Sequence, residues 1–250
     1  MKKIISILFL VSSYFLNAQT EDITTPDASS TGKGVKADKI SLTYYTDIWK
    51  DVSTGMNVSS YSPGFNCSYL QPFALGSSNF GFAIGLGIGS HNMRSDAMPT
   101  QEMIFDTVLV QNVETGKTIF EKIPENVNNK KIDYDINKLT LTYLDIPLEI
   151  RFYKQNKNEK VFKLALGFKA GYLISSHTKY KGNDFTGGTD DIKIKKYNVK
   201  NLELLRYGAT VRLGYENYNI FGYYSMSKLF KLDKGPEMYP ISVGISVTIL

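Results

Sequence analysis

The chain has 250 residues, a formal net charge of +5, 42% hydrophobic residues and a mean hydropathy of −0.19. That length allows one large domain or two small ones, and that hydropathy excludes a bundle of membrane-spanning helices. Lys and Arg are not gathered into one stripe, which excludes a nucleic-acid-binding surface and makes nucleic acid no partner.

The N-terminus speaks to compartment. Lys2 and Lys3 precede an apolar run over residues 4–16, and Leu16-Asn17-Ala18 precedes a cleavage point before Gln19. This is the pattern of a secretory signal peptide over residues 1–18, with a small residue and a polar stretch following at once. Its removal lowers the net charge from +5 to +3. Residues 19–39, rich in Thr, Ser, Gly and Asp, read as a flexible lead-in. The exported chain has one cysteine, Cys67, so no internal disulfide can support folding. Cys67 itself reads as a small apolar residue on a strand.

From residue 40 onward, alternation of period two dominates, which places one apolar face on each strand. Residues 40–49, 63–73, 80–90, 143–152, 162–174, 205–215, 218–230 and 239–250 read as eight strands. No stretch has a sustained 3.6-residue apolar face, so almost no helix is expected. Pro147 falls inside a predicted strand and cannot donate a ladder hydrogen bond, which predicts a bulge or an unpaired carbonyl there.

The connections alternate in length. Those near residues 75–79, 154–160 and 216–217 are short. Those over 50–62, 91–137, 178–198 and 231–238 are long. Short turns on one side and long loops on the other describe an all-β, eight-stranded antiparallel up-and-down transmembrane β-barrel over residues 40–250. Twelve residues at about 3.4 Å each, tilted by about 45°, rise roughly 29 Å, enough to cross a bilayer. Eight strands enclose a lumen that side chains fill, so a plugged barrel is expected rather than a channel.

A membrane barrel turns its apolar face outward, so its charges belong inside. The predicted lumen charge network is Asp145, Glu149, Arg151, Lys163, Lys169, Arg206 and Arg212. The Gly and Ser faces of the 80–90 and 239–250 strands leave room for these long side chains. A soluble barrel would show the same segregation with the charges facing water, so a second signal is needed. Aromatic residues provide it. Phe73 and Phe80, Phe152 and Phe162, and Tyr215 and Tyr218 bracket the three short turns, as an interfacial girdle would.

The segments YLDIPLEIRF (143–152), FKLALGFKAGYLI (162–174), RYGATVRLGYENYNIFGYYSMSKLF (206–230) and GPEMYPISVGISVTIL (235–250) resemble the PorT-like family of outer membrane β-barrel proteins. SPGFN and FAIGLGIGSHN, within residues 62–92, fit as well. The resemblance implies a barrel of about eight strands in the outer membrane of a Gram-negative bacterium, with outer-membrane lipid around it. It also implies that the barrel assembly machinery reads the closing strand during biogenesis, although Leu250 departs from the aromatic last residue common in such barrels. The family's namesake is linked to protein secretion.

Little in the sequence points to chemistry. The two histidines fall in Ser90-His91 and Ser176-His177, both at the outer ends of predicted strands. A lipid-modifying enzyme using such a site near the outer leaflet is the alternative reading, since a nucleophile needs its base within hydrogen-bond reach. Asp184, Asp190 and Asp191 lie in a Gly-rich loop that lacks EF-hand spacing, and Gly85, Gly87 and Gly89 form no phosphate loop because no helix follows. No metal or cofactor is expected. The longest loop holds two apolar runs around Glu114-Thr115-Gly116-Lys117, which predicts a hairpin above the barrel. External loops, chiefly 93–137, are the expected site for a protein partner or surface component, with no enzymatic activity.

Overall fold

The computed structural model describes residues 38–249 apart from 77, 107–110, 158–159 and 189. The signal peptide, the lead-in up to residue 37 and Leu250 lie outside the described residues. Those that are described hold strands and turns and no helix.

Three strands open the fold: β1 (Ile40–Lys50), β2 (Pro63–Ala74) and β3 (Phe80–Arg94). Two outlying hairpins follow, β4 (Ala97–Asp106) with β5 (Gln111–Lys122), and β6 (Asn126–Val127) with β7 (Lys130–Lys131). The chain returns through β8 (Tyr134–Gln155) and β9 (Val161–Asn183), makes the edge strand β10 (Asp191–Tyr197), and finishes with β11 (Leu205–Tyr215), β12 (Tyr218–Ser225) and β13 (Tyr239–Ile249). Eight of these strands form a ring in the order β1-β2-β3-β8-β9-β11-β12-β13, every neighbouring pair antiparallel. The ring closes where β13 lies along β1, from Ile40 opposite Ile249 to Lys50 opposite Tyr239. Closure leaves the ring without a free edge, which hydrocarbon demands because it offers backbone groups no partner.

The orientation is inside-out. Ile146, Leu148, Ile150, Leu166, Val211, Val243 and Ile245 are exposed on the outer wall, while Asp145, Lys169 and Arg212 are buried. On β8 the pattern is strict from Tyr143 to Ile150, each apolar or aromatic outward residue followed by an inward one. Period two with a filled polar interior produces this pattern only when the surroundings are apolar.

The strands differ from the sequence reading in length. β3, β8 and β9 run past the ring and carry β10 as a raised sheet above the long-loop rim. β12 is shorter than expected, because residues 226–230 turn across the mouth and bury Leu229 and Phe230. At Pro147 there is no bulge. The β3–β8 register continues from Ile84–Leu148 to Gly87–Asp145, and the two rungs opposite Ile146 and Pro147 are missing between them. The β8–β9 irregularities fall instead between Tyr134 and Ile136 and between Thr142 and Tyr143.

The hairpin in the longest loop also differs. Its strands pair from Ala97 opposite Lys122 to Asp106 opposite Gln111, and Glu114-Thr115-Gly116-Lys117 lies within β5. The register jumps there from Gln101–Thr118 to Met103–Glu114, and Gly116 has φ +74°. A glycine at positive φ marks a bulge as well as a turn, and here it marks the bulge.

Candidate functional site

The lumen is packed with charge in tiers. At the short-turn end, Lys163 Nζ donates to Asp38 Oδ1 and Oδ2 at 2.8 and 2.6 Å, and Arg151 Nη1 donates to the Asp38 carbonyl at 3.0 Å. In the next tier Glu149 accepts from Arg151 Nε at 3.0 Å and from Arg212, which also donates to Ser41 Oγ at 2.7 Å. Above it, Arg206 Nη2 lies 2.9 Å from each Asp145 oxygen, Lys169 Nζ stands 3.5 Å away, and Asn66 donates at 3.2 Å. The Arg206 guanidinium also stacks 3.8 Å from the centre of the Tyr143 ring. Nearest the mouth, His91 Nδ1 is 3.0 Å from Asp47, which accepts a further 2.6 Å hydrogen bond from Ser242.

Among the described residues, four carboxylates, five Lys or Arg side chains and one histidine are buried this way. The seven residues of the predicted network all lie in these tiers. Sequence reading missed Asp38, assigned to the lead-in, and also Asp47 and His91. Asp47 was legible in principle, since it alternates with Tyr45 and Trp49 on one face of β1. Glycines make the space: a β-carbon on Gly89 or Gly171 would collide with the Asp145 carboxylate. The voids left between lumen side chains are about 10 and 20 Å³, no more than one water each.

The mouth is capped by apolar side chains from the long loops. Met56, Leu202, Leu229, Phe230 and Met238 pack onto Trp49, Met93, Leu139 and Leu141 of the strands. The β4–β5 hairpin docks on this cap. Phe120 meets Phe230 edge-on at 6.0 Å, Thr118 N donates to the Lys234 carbonyl at 2.9 Å, and Asn201 Nδ2 donates to the Gly116 carbonyl at 2.9 Å. Beyond that root the hairpin exposes Met103, Ile104 and Phe105, each more than half accessible.

Neither Ser–His pair forms a site. Neighbouring residues of a strand face opposite sides, so Ser90 lies on the outer wall opposite Phe65 while His91 is buried in the lumen beside Tyr45. Ser176 is buried and accepts from Val199 N at 3.1 Å, whereas His177 faces outward against the Tyr197 ring at 5.6 Å. At the short-turn rim Phe73, Phe80, Phe162, Tyr215 and Tyr218 are exposed on the outer wall, and the half-buried Phe152 packs on Phe80 at 5.1 Å. In the 184–190 turn, Asp184 accepts from Thr186 N, Thr186 Oγ1 and Gly188 N, so it braces that turn.

A model of the outer membrane protein beta-barrel domain matches residues 34–231. The chain belongs to that family. This outer membrane β-barrel protein therefore resides in the outer membrane of a Gram-negative cell. Among solved structures it is similar to Ail, the attachment invasion locus protein of Yersinia pestis. In complex with the heparin analogue sucrose octasulfate, Ail aligns at 16% identity with a TM-score of 0.31. A second Ail structure aligns at 17% identity with a TM-score of 0.32, and both alignments cover 84% of this chain and 97% of Ail. No curated protein matches this outer membrane barrel.

Proposed function

We propose that the protein is a non-enzymatic surface binder. Its sealed barrel is an anchor, and its external loops, chiefly residues 93–137, hold a protein partner in an accessory role in secretion or envelope assembly. The tiers of lumen charge keep the anchor closed, and the aromatic residues at the short-turn rim act as its interfacial girdle.

One observation carries the reading: a hairpin rooted by hydrogen bonds to two other loops holds three adjacent apolar side chains, Met103, Ile104 and Phe105, out in solvent. Exposed apolar groups on a fixed support are what a protein partner buries. Cross-linking in intact cells followed by mass spectrometry tests it. The wild type should yield a protein cross-linked to the hairpin. The variant Met103→Ser/Ile104→Ser/Phe105→Ser should lose that product while keeping the heat-dependent gel mobility of a folded barrel. An unchanged set of products would refute the reading. Replacing His91 and His177 together should leave lipid A and phospholipid profiles unaltered, and an altered profile would restore the enzymatic alternative.

A further inference from the structure

Four cations stand in one row across four strands of the raised sheet. Arg94 of β3 is directly opposite Lys138 of β8, Lys138 is opposite Lys179 of β9, and Lys179 is opposite Lys195 of β10. Directly opposed residues share a face, with Cβ atoms about 5 Å apart, and like charges so placed destabilise a sheet. The face is the outer one, since Arg94 shares a face of β3 with the exposed Ile88, and Lys138 shares a face of β8 with the exposed Leu144.

Among the described residues, none of the four has a carboxylate within ion-pair distance. Lys138 donates to the Asn92 amide oxygen at 3.0 Å, and Arg94 and Lys195 lie over the rings of Tyr61 and Tyr197. Five lysines elsewhere outside the membrane are paired with acids: Lys122 with Asp96, Lys131 with Asp133, Lys181 with Asp135, Lys200 with Glu114 and Lys228 with Glu237. The loops thus contain acids, but not at this row. Lysines on an exposed edge protect it from pairing with another chain. That accounts for Lys195 on β10 and leaves Lys138 and Lys179, which lie on the interior strands β8 and β9, without a reason; Arg94 of β3 stands at the other end of the row, beyond the last β2–β3 pair at Ser90.

Height supplies the reason. The exposed apolar wall ends at Ile88 and Leu144. Two polar rows follow, Ser90 with Thr142 and Asn92 with Thr140, and then comes the cation row. Six residues along a strand tilted by about 45° rise roughly 14 Å. Lysine stems bend back toward the bilayer from such a position. Tyr61 and Tyr197, both exposed, stand at the two ends of the row, as aromatic side chains do at a membrane boundary.

We propose that Arg94, Lys138, Lys179 and Lys195 form a lateral docking site for the phosphate groups of outer-leaflet lipid headgroups. The occupant is the lipid around the barrel, whose anionic groups relieve the repulsion within the row. Lysine serves here as a point charge that adapts to phosphates of varied position.

Full-length protein folded into phosphatidylcholine vesicles with and without bisphosphorylated lipid A tests the assignment. The wild type should enrich lipid A around itself, and enrichment should fall roughly fivefold for each lysine changed to Gln. Dephosphorylated lipid A should not be enriched. In pure phosphatidylcholine, Lys138→Gln/Lys179→Gln/Lys195→Gln should unfold at a temperature no lower than the wild type, because the row repels itself. The Lys→Arg counterpart should keep the enrichment, and Lys131→Gln/Lys200→Gln should leave it unchanged. Should the triple Gln variant not fold, the three single variants provide the graded series. Equal enrichment of dephosphorylated lipid A, or enrichment indifferent to the row, would overturn the proposal. So would row-dependent binding of a soluble polyanion with no competition from lipid A, which would assign the row to a partner outside the membrane.

Discussion

Arg206 of β11 reaches across the lumen to Asp145 of β8, one guanidinium nitrogen lying 2.9 Å from each carboxylate oxygen. Asp145 also faces Lys169 at 3.5 Å and is fully buried. One acid thus serves two cations in a space with no room for more than isolated waters. Removing one partner of a buried ionic group leaves uncompensated charge, which costs about 3–5 kcal/mol. Asp145→Asn should therefore lower the unfolding free energy obtained from urea titration by an amount of that order, with folding read from heat-dependent gel mobility. A loss below about 1 kcal/mol, typical of a solvated pair, would mean that the tier is hydrated.

Leu148 lies on the outer wall of β8, midway between Leu144 and Phe152. An arginine at the bilayer midplane costs about 2–4 kcal/mol, and near the interface about 0–1. Leu148→Arg should destabilise the protein by the larger amount and Tyr218→Arg, at the short-turn rim, by the smaller. Equal losses at the two positions would contradict the depth assigned to this wall.

Cys67 faces outward on β2 between the exposed Phe65 and Tyr69, and it has no disulfide partner. A charged reagent is excluded from hydrocarbon, whereas a small apolar one enters it. In bilayers, a charged maleimide should label Cys67 far more slowly than a small apolar one. Solubilised and unfolded protein should react rapidly with both. Rapid labelling by the charged reagent in intact vesicles would place this face of β2 in water.

Asp96 clips two external loops together, accepting from Asn57 N at 2.7 Å and Asn57 Nδ2 at 2.9 Å, with Lys122 at 3.4 Å. Partial burial raises its pKa, but the Asn57 hydrogen bonds and Lys122 outweigh burial and hold it below the ordinary 3.8. A carboxylate with a depressed folded pKa contributes fully above its unfolded pKa, and loses that contribution as pH falls through the folded value. The clip should hold at neutral pH and loosen below about pH 4. Protection of the Asn57 amide, relative to its intrinsic exchange rate, should fall over that range in the wild type. In Asp96→Asn that protection should no longer change with pH, and a persisting acid transition there would assign the effect to another group.

Alternation made the barrel wall legible before any coordinates. Each strand has two faces, and residues as unlike as Leu148 and Glu149 cannot share one. The same rule separated Ser90 from His91 and left no catalytic pair. Above the rim the rule weakens, because long loops carry fewer alternating residues and more compensating contacts. The hairpin turn was misplaced for that reason: Gly116 adopts a positive φ in a bulge, and local sequence does not distinguish the two uses.

Strand number follows from periodicity, and wall orientation and a charged lumen follow once the aromatic residues bracketing the short turns place the apolar face against lipid. Which charges meet does not follow. Asp38 pairs with Lys163, 125 positions later, and Asp47 with His91, because ring closure and strand register bring them level. The row from Arg94 to Lys195 is likewise invisible along the chain, where its members are scattered over a hundred residues. Register across three strand pairs sets them side by side, and only the folded sheet determines register.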